Sequence, residues 1–212
     1  MTLKRSFTLL LLCLGYTAMA QPDTVHQHYE VSGTANVYYH AMFNHDKVLG
    51  GAGTAPIAVN VKGQKYINVL YTAGTVSCFG AIDSTYFGAD GGDYGYSTAI
   101  SGAGAFSGIS HKNRVMFLCG VFASEASGLD EPYDPDDYTG KENKPTYWPA
   151  LNQVFFIGDG KTDKGTVQTF LVPNEAEVLY IGFADCLSGP PSSYADNGGS
   201  LKITIVLRHE KG

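Results

Sequence analysis

Leu201-Lys202-Ile203-Thr204-Ile205-Val206 alternates large apolar side chains with polar or smaller ones, and Val167-Gln168-Thr169-Phe170-Leu171-Val172 repeats the pattern. Successive side chains of a strand point to opposite faces, so a period of two marks a strand with one face buried. Outward from these two segments, apolar residues keep to period two or to short runs and rarely fall at helical spacing. Strands are therefore expected at Tyr29 to Tyr38, Ile57 to Val61, Tyr66 to Thr72, Arg114 to Phe122, Val154 to Ile157, Thr166 to Val172, Val178 to Phe183 and Leu201 to Leu207. About eight strands separated by turn signals predict an all-β sandwich, and no helix is expected.

Composition agrees. The 212 residues include 26 Gly, 14 Tyr and 11 Phe, a mixture suited to short strands and tight turns. Hydrophobic residues at 44% can form a core, and charged residues at 16%, against roughly 25% in an average globular chain, exclude disorder and coiled coil. The length suits one domain, with no linker or internal repeat to divide it.

Residues 1 to 20 form a separate object: basic Lys4 and Arg5, an apolar run from Phe7 to Leu14, and the small-x-small site Ala18-Met19-Ala20. This is the layout of a secretory signal peptide, too short in its apolar run to span a bilayer, which predicts a secreted or periplasmic protein of residues 21 to 212 without membrane insertion. Losing it removes two basic residues and no acidic one, so the exported chain is more acidic than the net −6 of the full sequence. Such a field disfavours nucleic acid and suits neutral ligands or cations. Three cysteines remain, Cys78, Cys119 and Cys186, allowing one disulfide and three pairings. Cys119 lies in the apolar run Val115 to Cys119 and reads as a core thiol, which favours Cys78 with Cys186.

Two long loops are expected, Phe79 to Ile109 and Ser124 to Pro149. The second is acidic at Asp130, Glu131, Asp134, Asp136 and Asp137, but it fails the EF-hand rule, since the sixth position counted from Asp134 is Thr139 instead of Gly. A solvated loop is the better reading. Asp159, in Ile157-Gly158-Asp159-Gly160, reads as a turn, and His26-Gln27-His28 as a flexible terminus able to take up a transition metal adventitiously. There is no Gly-x-Ser-x-Gly elbow and no Cys beside a His, so nucleophilic catalysis has no motif. Tyr86, Phe87, Tyr94, Tyr96, Tyr133, Tyr138, Tyr147 and Trp148 crowd the two loops, either to stack on sugar faces or to pin the loops to the sandwich.

The densest collection of hard oxygen donors lies between Asp185 and Asn197. A loop leaving a strand at Asp185 and returning through Asp196-Asn197-Gly198-Gly199 can bring two carboxylates, a carboxamide and free carbonyls to one point, the donor set that Ca²⁺ prefers. Together with Val178 to Phe183 before it, and Ser193-Tyr194 and Gly199-Ser200 around the return, the segment from Ala176 to Val206 resembles the calcium site of the soluble bacterial calcium-dependent galactophilic lectins. The resemblance implies a galactose-binding-like β-sandwich with long decorated loops, side-chain ligands Asp185, Asp196 and Asn197, a Ser193 carbonyl ligand, and Ca²⁺ completed by hydroxyls of a galactoside. A fainter match, Ala73 to Cys78 followed by Gly88-Ala89-Asp90-Gly91, implies Cys78 as a second carbonyl ligand, near Cys186. The sugar-contacting His-Pro and Gln of those lectins have no counterpart after Gly88, where Asp93, Tyr94 and Tyr96 stand, so Tyr94 is the candidate sugar contact. The expectation is a calcium-dependent saccharide-binding protein, open to oligomerisation. The alternatives are a surface protein with a purely structural Ca²⁺ and a hydrolase with its site in residues 79 to 109.

Overall fold

A computed structural model of the chain describes residues 24–43, 52–80, 85–124, 135–185 and 193–208. Within them the strands are β1 (Thr24–Ser32), β2 (Ile57–Asn60), β3 (Tyr66–Ser77), β4 (Thr98–Ala103), β5 (Phe106–His111) and β6 (Phe117–Ala123). They continue as β7 (Asp136–Asp137), β8 (Thr146–Tyr147), β9 (Val154–Phe156), β10 (Thr169–Leu171), β11 (Val178–Ala184) and β12 (Gly198–Arg208). The protein is an all-β sandwich, as the period-two segments predict.

Three sheets form, with strand orders β1-β12-β3-β10-β8, β2-β11-β6-β9 and β4-β5-β7. The sheet containing β6 and β11 is the middle layer. Phe122 pairs in register with Leu179, and Gly120 with Phe155, so Phe122 and Phe155 share one face. That face meets the first sheet, where Phe155 packs on Phe170 of β10 at 5.3 Å between ring centroids. Phe117 and Phe156 share the opposite face at 5.1 Å, and there they meet His111 of β5 at 5.9 and 6.3 Å. Phe106 of the same small sheet lies 6.3 Å from Tyr180 of β11. All seven residues of β6 are buried, which explains why its sequence is a near-continuous apolar run: both its faces are covered.

β12 carries the first sheet. It pairs with β1 from Ser200 to Arg208 and with β3 from Gly198 to Arg208. Its odd-numbered residues Leu201, Ile203, Ile205 and Leu207 face the core.

Several expectations are corrected. The supposed flexible terminus is β1, in which His28 Nδ1 lies 2.9 Å from Thr204 Oγ1, and the strand ends at Ser32 instead of running on to Tyr38. A short helix α1 (Tyr39–Phe43) follows where none was expected. The Phe79 to Ile109 region is not one loop, since it contains β4 and most of β5; Ser124 to Pro149 contains β7 and β8. Asp159 does sit in a turn, closed by Gly160 N–H donating to the Ile157 carbonyl at 3.2 Å. Cys119 is fully buried, as expected, and burial pushes its thiol pKa up. No disulfide is formed among the described residues; Cys186, the expected partner of Cys78, lies outside them. The leader at residues 1 to 20 and the acidic Asp130, Glu131 and Asp134 also lie outside them. Among the described residues no helix is long and apolar enough to cross a membrane.

The ring contacts between layers should dominate stability. Phe170→Ala should cost about 3–5 kcal/mol in urea unfolding, whereas Trp148→Ala, at a side chain 70% exposed, should stay within about 0.5 kcal/mol. Equal losses in the two variants would contradict this account of the core.

Candidate functional site

The site forms where two strands run off opposite sheets at the same end of the sandwich. β11 ends at Ala184, and Asp185 continues the parity of Ile181 and Phe183, the residues turned toward the first sheet. Asn197 just precedes β12 and is buried like its core-facing residues, on the far side of the exposed Gly199. Two polar side chains thus occupy positions that the alternation would give to core hydrophobics. Asp185 is 5% exposed and Asn197 7% exposed.

They meet there. The Asn197 side chain hydrogen-bonds the Asp185 carboxyl, and its Nδ2 also donates to the Gly33 carbonyl at 3.1 Å. Asp196, exposed at the surface, lies close enough to act on Asp185 electrostatically. The Gly198↔Ser77 pair sets buried Cys78, the next residue after β3, across from Asn197. Asp185 and Asn197 thus meet, with Asp196 beside them at the surface and Cys78 across the ladder from Asn197, while Ser193 lies exposed at the start of the return to β12.

Two close backbone approaches make this possible. A Cβ on Gly80, whose φ is +50°, would lie 2.4 Å from the Asp196 carbonyl oxygen, and one on Gly33 would lie 2.3 Å from that of Gly198. Only glycine lets these segments approach so closely. Beneath them Tyr194 is fully buried, its hydroxyl donating to the Phe183 carbonyl at 3.1 Å and accepting from the Asp185 N–H at 3.5 Å. It ties the returning chain to the end of β11. The roles of Tyr194 and Gly33 had no sequence signal, since each depends on a partner distant in the chain.

Burial is the largest influence on Asp185 and raises its carboxyl pKa to about 7; the Asn197 hydrogen bond opposes this and the Asp196 charge adds to it. Asn197 Oδ1 is buried with no hydrogen-bond partner among the described residues. The Asn197 acceptor thus sits beside a carboxyl that burial disposes to keep its proton up to neutral pH. The donors are all hard oxygens, a set that fits Ca²⁺ and not a thiophilic metal. Among the described residues no three His, Cys, Asp or Glu side chains form a metal cluster.

Tyr94 is half-buried in an aromatic group. Its ring is 5.4 Å from Phe79, 6.4 Å from Phe87 and 5.7 Å from Tyr96. Its neighbour Tyr96 is 48% exposed, and Tyr86, in the segment leading to Phe87, is 47% exposed. Tyr86 hydroxyl donates to the Gly80 carbonyl at 3.5 Å, and Gly80 abuts Asp196, so the aromatic shelf adjoins the oxygen cluster. Asp90 is committed elsewhere: its Oδ1 accepts from the Asp159 N–H at 2.9 Å.

Fold and site together define an all-β sandwich with a buried acid and amide at the strand ends. No family model, curated protein or solved structure matches the chain.

The buried acid carries a pH signature. With its folded pKa raised from 3.8 to about 7, the cation-free fold binds more protons than the unfolded chain between those values, so stability falls as pH rises through that window. Above pH 7 the penalty is on the order of 4 kcal/mol. In chelator, Asp185→Asn should flatten the slope between pH 4 and 7 and raise stability at pH 8. Urea unfolding across pH measures both, and a slope surviving in Asp185→Asn would assign it to another group.

Proposed function

We propose that the protein is a calcium-dependent saccharide-binding protein, in which Ca²⁺ held by Asp185, Asp196 and Asn197 presents an exchangeable face to sugar hydroxyls. The observation that carries the reading is the buried Asn197 Oδ1, left without a donor next to the buried Asp185 carboxyl. A divalent cation satisfies the amide oxygen and neutralises the carboxylates together. Carbonyl oxygens of Ser193 and Cys78, which flank the cluster, complete the protein's share of the ligand set. When bound, the ion supplies a Lewis-acidic centre for vicinal hydroxyls of a neutral sugar.

The exposed rings of Tyr86 and Tyr96 support the saccharide half of the proposal. Aligned C–H groups of a pyranose bury apolar area on such rings while leaving hydroxyls free for the metal. A terminal galactoside is the sugar that the sequence resemblance implies. Export through the amino-terminal leader, into the periplasm or medium, belongs to the same proposal and suits a Ca²⁺ site of moderate affinity. A structural role for Ca²⁺ alone is favoured by one observation, the packing of Tyr94 against Phe79 and Phe87, which consumes one of the expected sugar contacts.

Asp196 is exposed, so its removal spares the core. Thermal unfolding should show Ca²⁺ stabilising the wild type, by about 2.7 kcal/mol at a hundredfold excess over Kd, and Asp196→Ala abolishing the effect while folding normally without metal. Galactose or lactose should add stability only with Ca²⁺ present. Stabilisation by Ca²⁺ with no sugar effect would establish the structural role; unchanged Ca²⁺ binding by Asp196→Ala would remove the site assignment altogether.

A further inference from the structure

Trp148 is the sole tryptophan of the chain and stands 70% exposed, directly after Tyr147, which is only 5% exposed. The two border a cavity of about 300 Å³ that Lys141, Lys144, Asp136 and Gln153 also line. That volume is at the lower end of the range for small-ligand sites. Its wall is built from inside. Tyr147 hydroxyl donates to the Lys141 carbonyl at 2.7 Å, and Gln168 Nε2, on a fully buried side chain, donates to the Lys144 carbonyl at 3.0 Å. The main chain of both lysines is thereby anchored while their side chains stay exposed.

The neighbouring acids are already engaged. Asp136 accepts from the Gln153 amide, and Asp137 from the Thr139 N–H at 2.9 Å. Glu142 holds His111 Nε2 at 2.5 Å with Arg114 Nε at 3.9 Å, and Asp163 accepts from Asn143 at 2.6 Å. Of these, Asp137 also feels the charges of Lys112 and Lys141. Among the described residues neither Lys141 nor Lys144 has an ion-pair partner within 4 Å, although the protein as a whole is acidic.

We propose that this cavity is a second saccharide site, for a carboxylated sugar of the uronate class, with the apolar sugar face on the Trp148 indole and the carboxylate at Lys141 and Lys144. The indole offers a rigid apolar plane with little conformational freedom to lose. The two ammonium groups favour an anion over a neutral analogue, as point charges without the planar fork of arginine. Asp136 and Gln153, hydrogen-bonded to each other in the lining, are suited to ring hydroxyls. The site uses none of the Asp185 cluster and needs no metal.

Because Trp148 is the sole tryptophan, its emission reports on this cavity alone. The full exported chain in chelator is titrated with trigalacturonate and, separately, with a neutral galactose trisaccharide. Trigalacturonate should shift the emission to the blue, bind about tenfold or more tighter than the neutral sugar, and weaken with added salt. The double variant Lys141→Ala/Lys144→Ala should lose that preference, and Trp148→Ala should show no trigalacturonate heat by calorimetry, both with wild-type melting temperatures. Equal affinity for the two sugars, or an unchanged preference in the lysine variant, overturns the anionic assignment. No emission change at millimolar trigalacturonate overturns the site. Chelator keeps either failure separate from the calcium reading.

Discussion

Ring packing between sheets is the interaction on which the rest of the molecule depends. Phe122 lies 5.2 Å from Phe155, Phe155 5.3 Å from Phe170, and Phe170 5.4 Å from Tyr147, so one run of rings passes from the middle sheet into the first. On the other face Phe117, Phe156 and Tyr138 continue the packing toward the small third sheet. Each such pair adds roughly 0.5–1.5 kcal/mol beyond the area it buries, and the geometry of offset rings fixes the spacing and angle of the layers more tightly than aliphatic contacts would. With the layers fixed, the ends of β11 and β12 have no freedom to drift apart. That is what brings Asp185 and Asn197 to one point.

The site is thus an interruption of the core. Along β11 every second side chain is apolar and buried until Asp185 takes the next inward position; on β12 the buried series Leu207, Ile205, Ile203 and Leu201 stops at the exposed Gly199, beyond which Asn197 is buried again. Hydrophobic residues at these two positions would be more favourable for the empty fold, since desolvating Asp185 opposes folding at neutral pH. The cost is local, and the rigid frame around the pair orients both side chains in advance. Tyr194 provides the frame at close range, with its hydroxyl shared between Phe183 and Asp185.

How much of this the sequence disclosed follows from which interactions are local. β12 and β11 were legible because their alternation or apolar runs are properties of consecutive residues, and the approach of Asn197 to Asp185 was legible because one loop joins the ends of those two strands. β4 and β5 were not legible. Thr98-Ala-Ile-Ser-Gly-Ala and Phe106-Ser-Gly-Ile-Ser-His carry only Ile100, Phe106 and Ile109 as large core residues, and their Gly and Ser content imitates a loop. β1 looks polar because it is paired only with β12 and His26 and Glu30 point outward. Asp136 and Asp137 become a strand solely through pairing with Ile109 and Ser110, a tertiary event with no trace in two acidic residues.

Loop aromatics are either buried anchors or exposed rings, and the structure holds the two kinds at adjacent positions. Tyr147 is buried against Phe170, and because neighbouring side chains of an extended segment diverge, anchoring Tyr147 holds Trp148 out to solvent. The Phe79 group repeats the arrangement: Tyr94 is wedged between Phe79 and Phe87, and Tyr96 rests beside it, half exposed. A ring presented on an anchored neighbour has already lost the conformational freedom that binding would otherwise remove. Exposed aromatics on mobile loops lack that advantage. The buried tyrosines therefore determine in advance where the exposed rings stand.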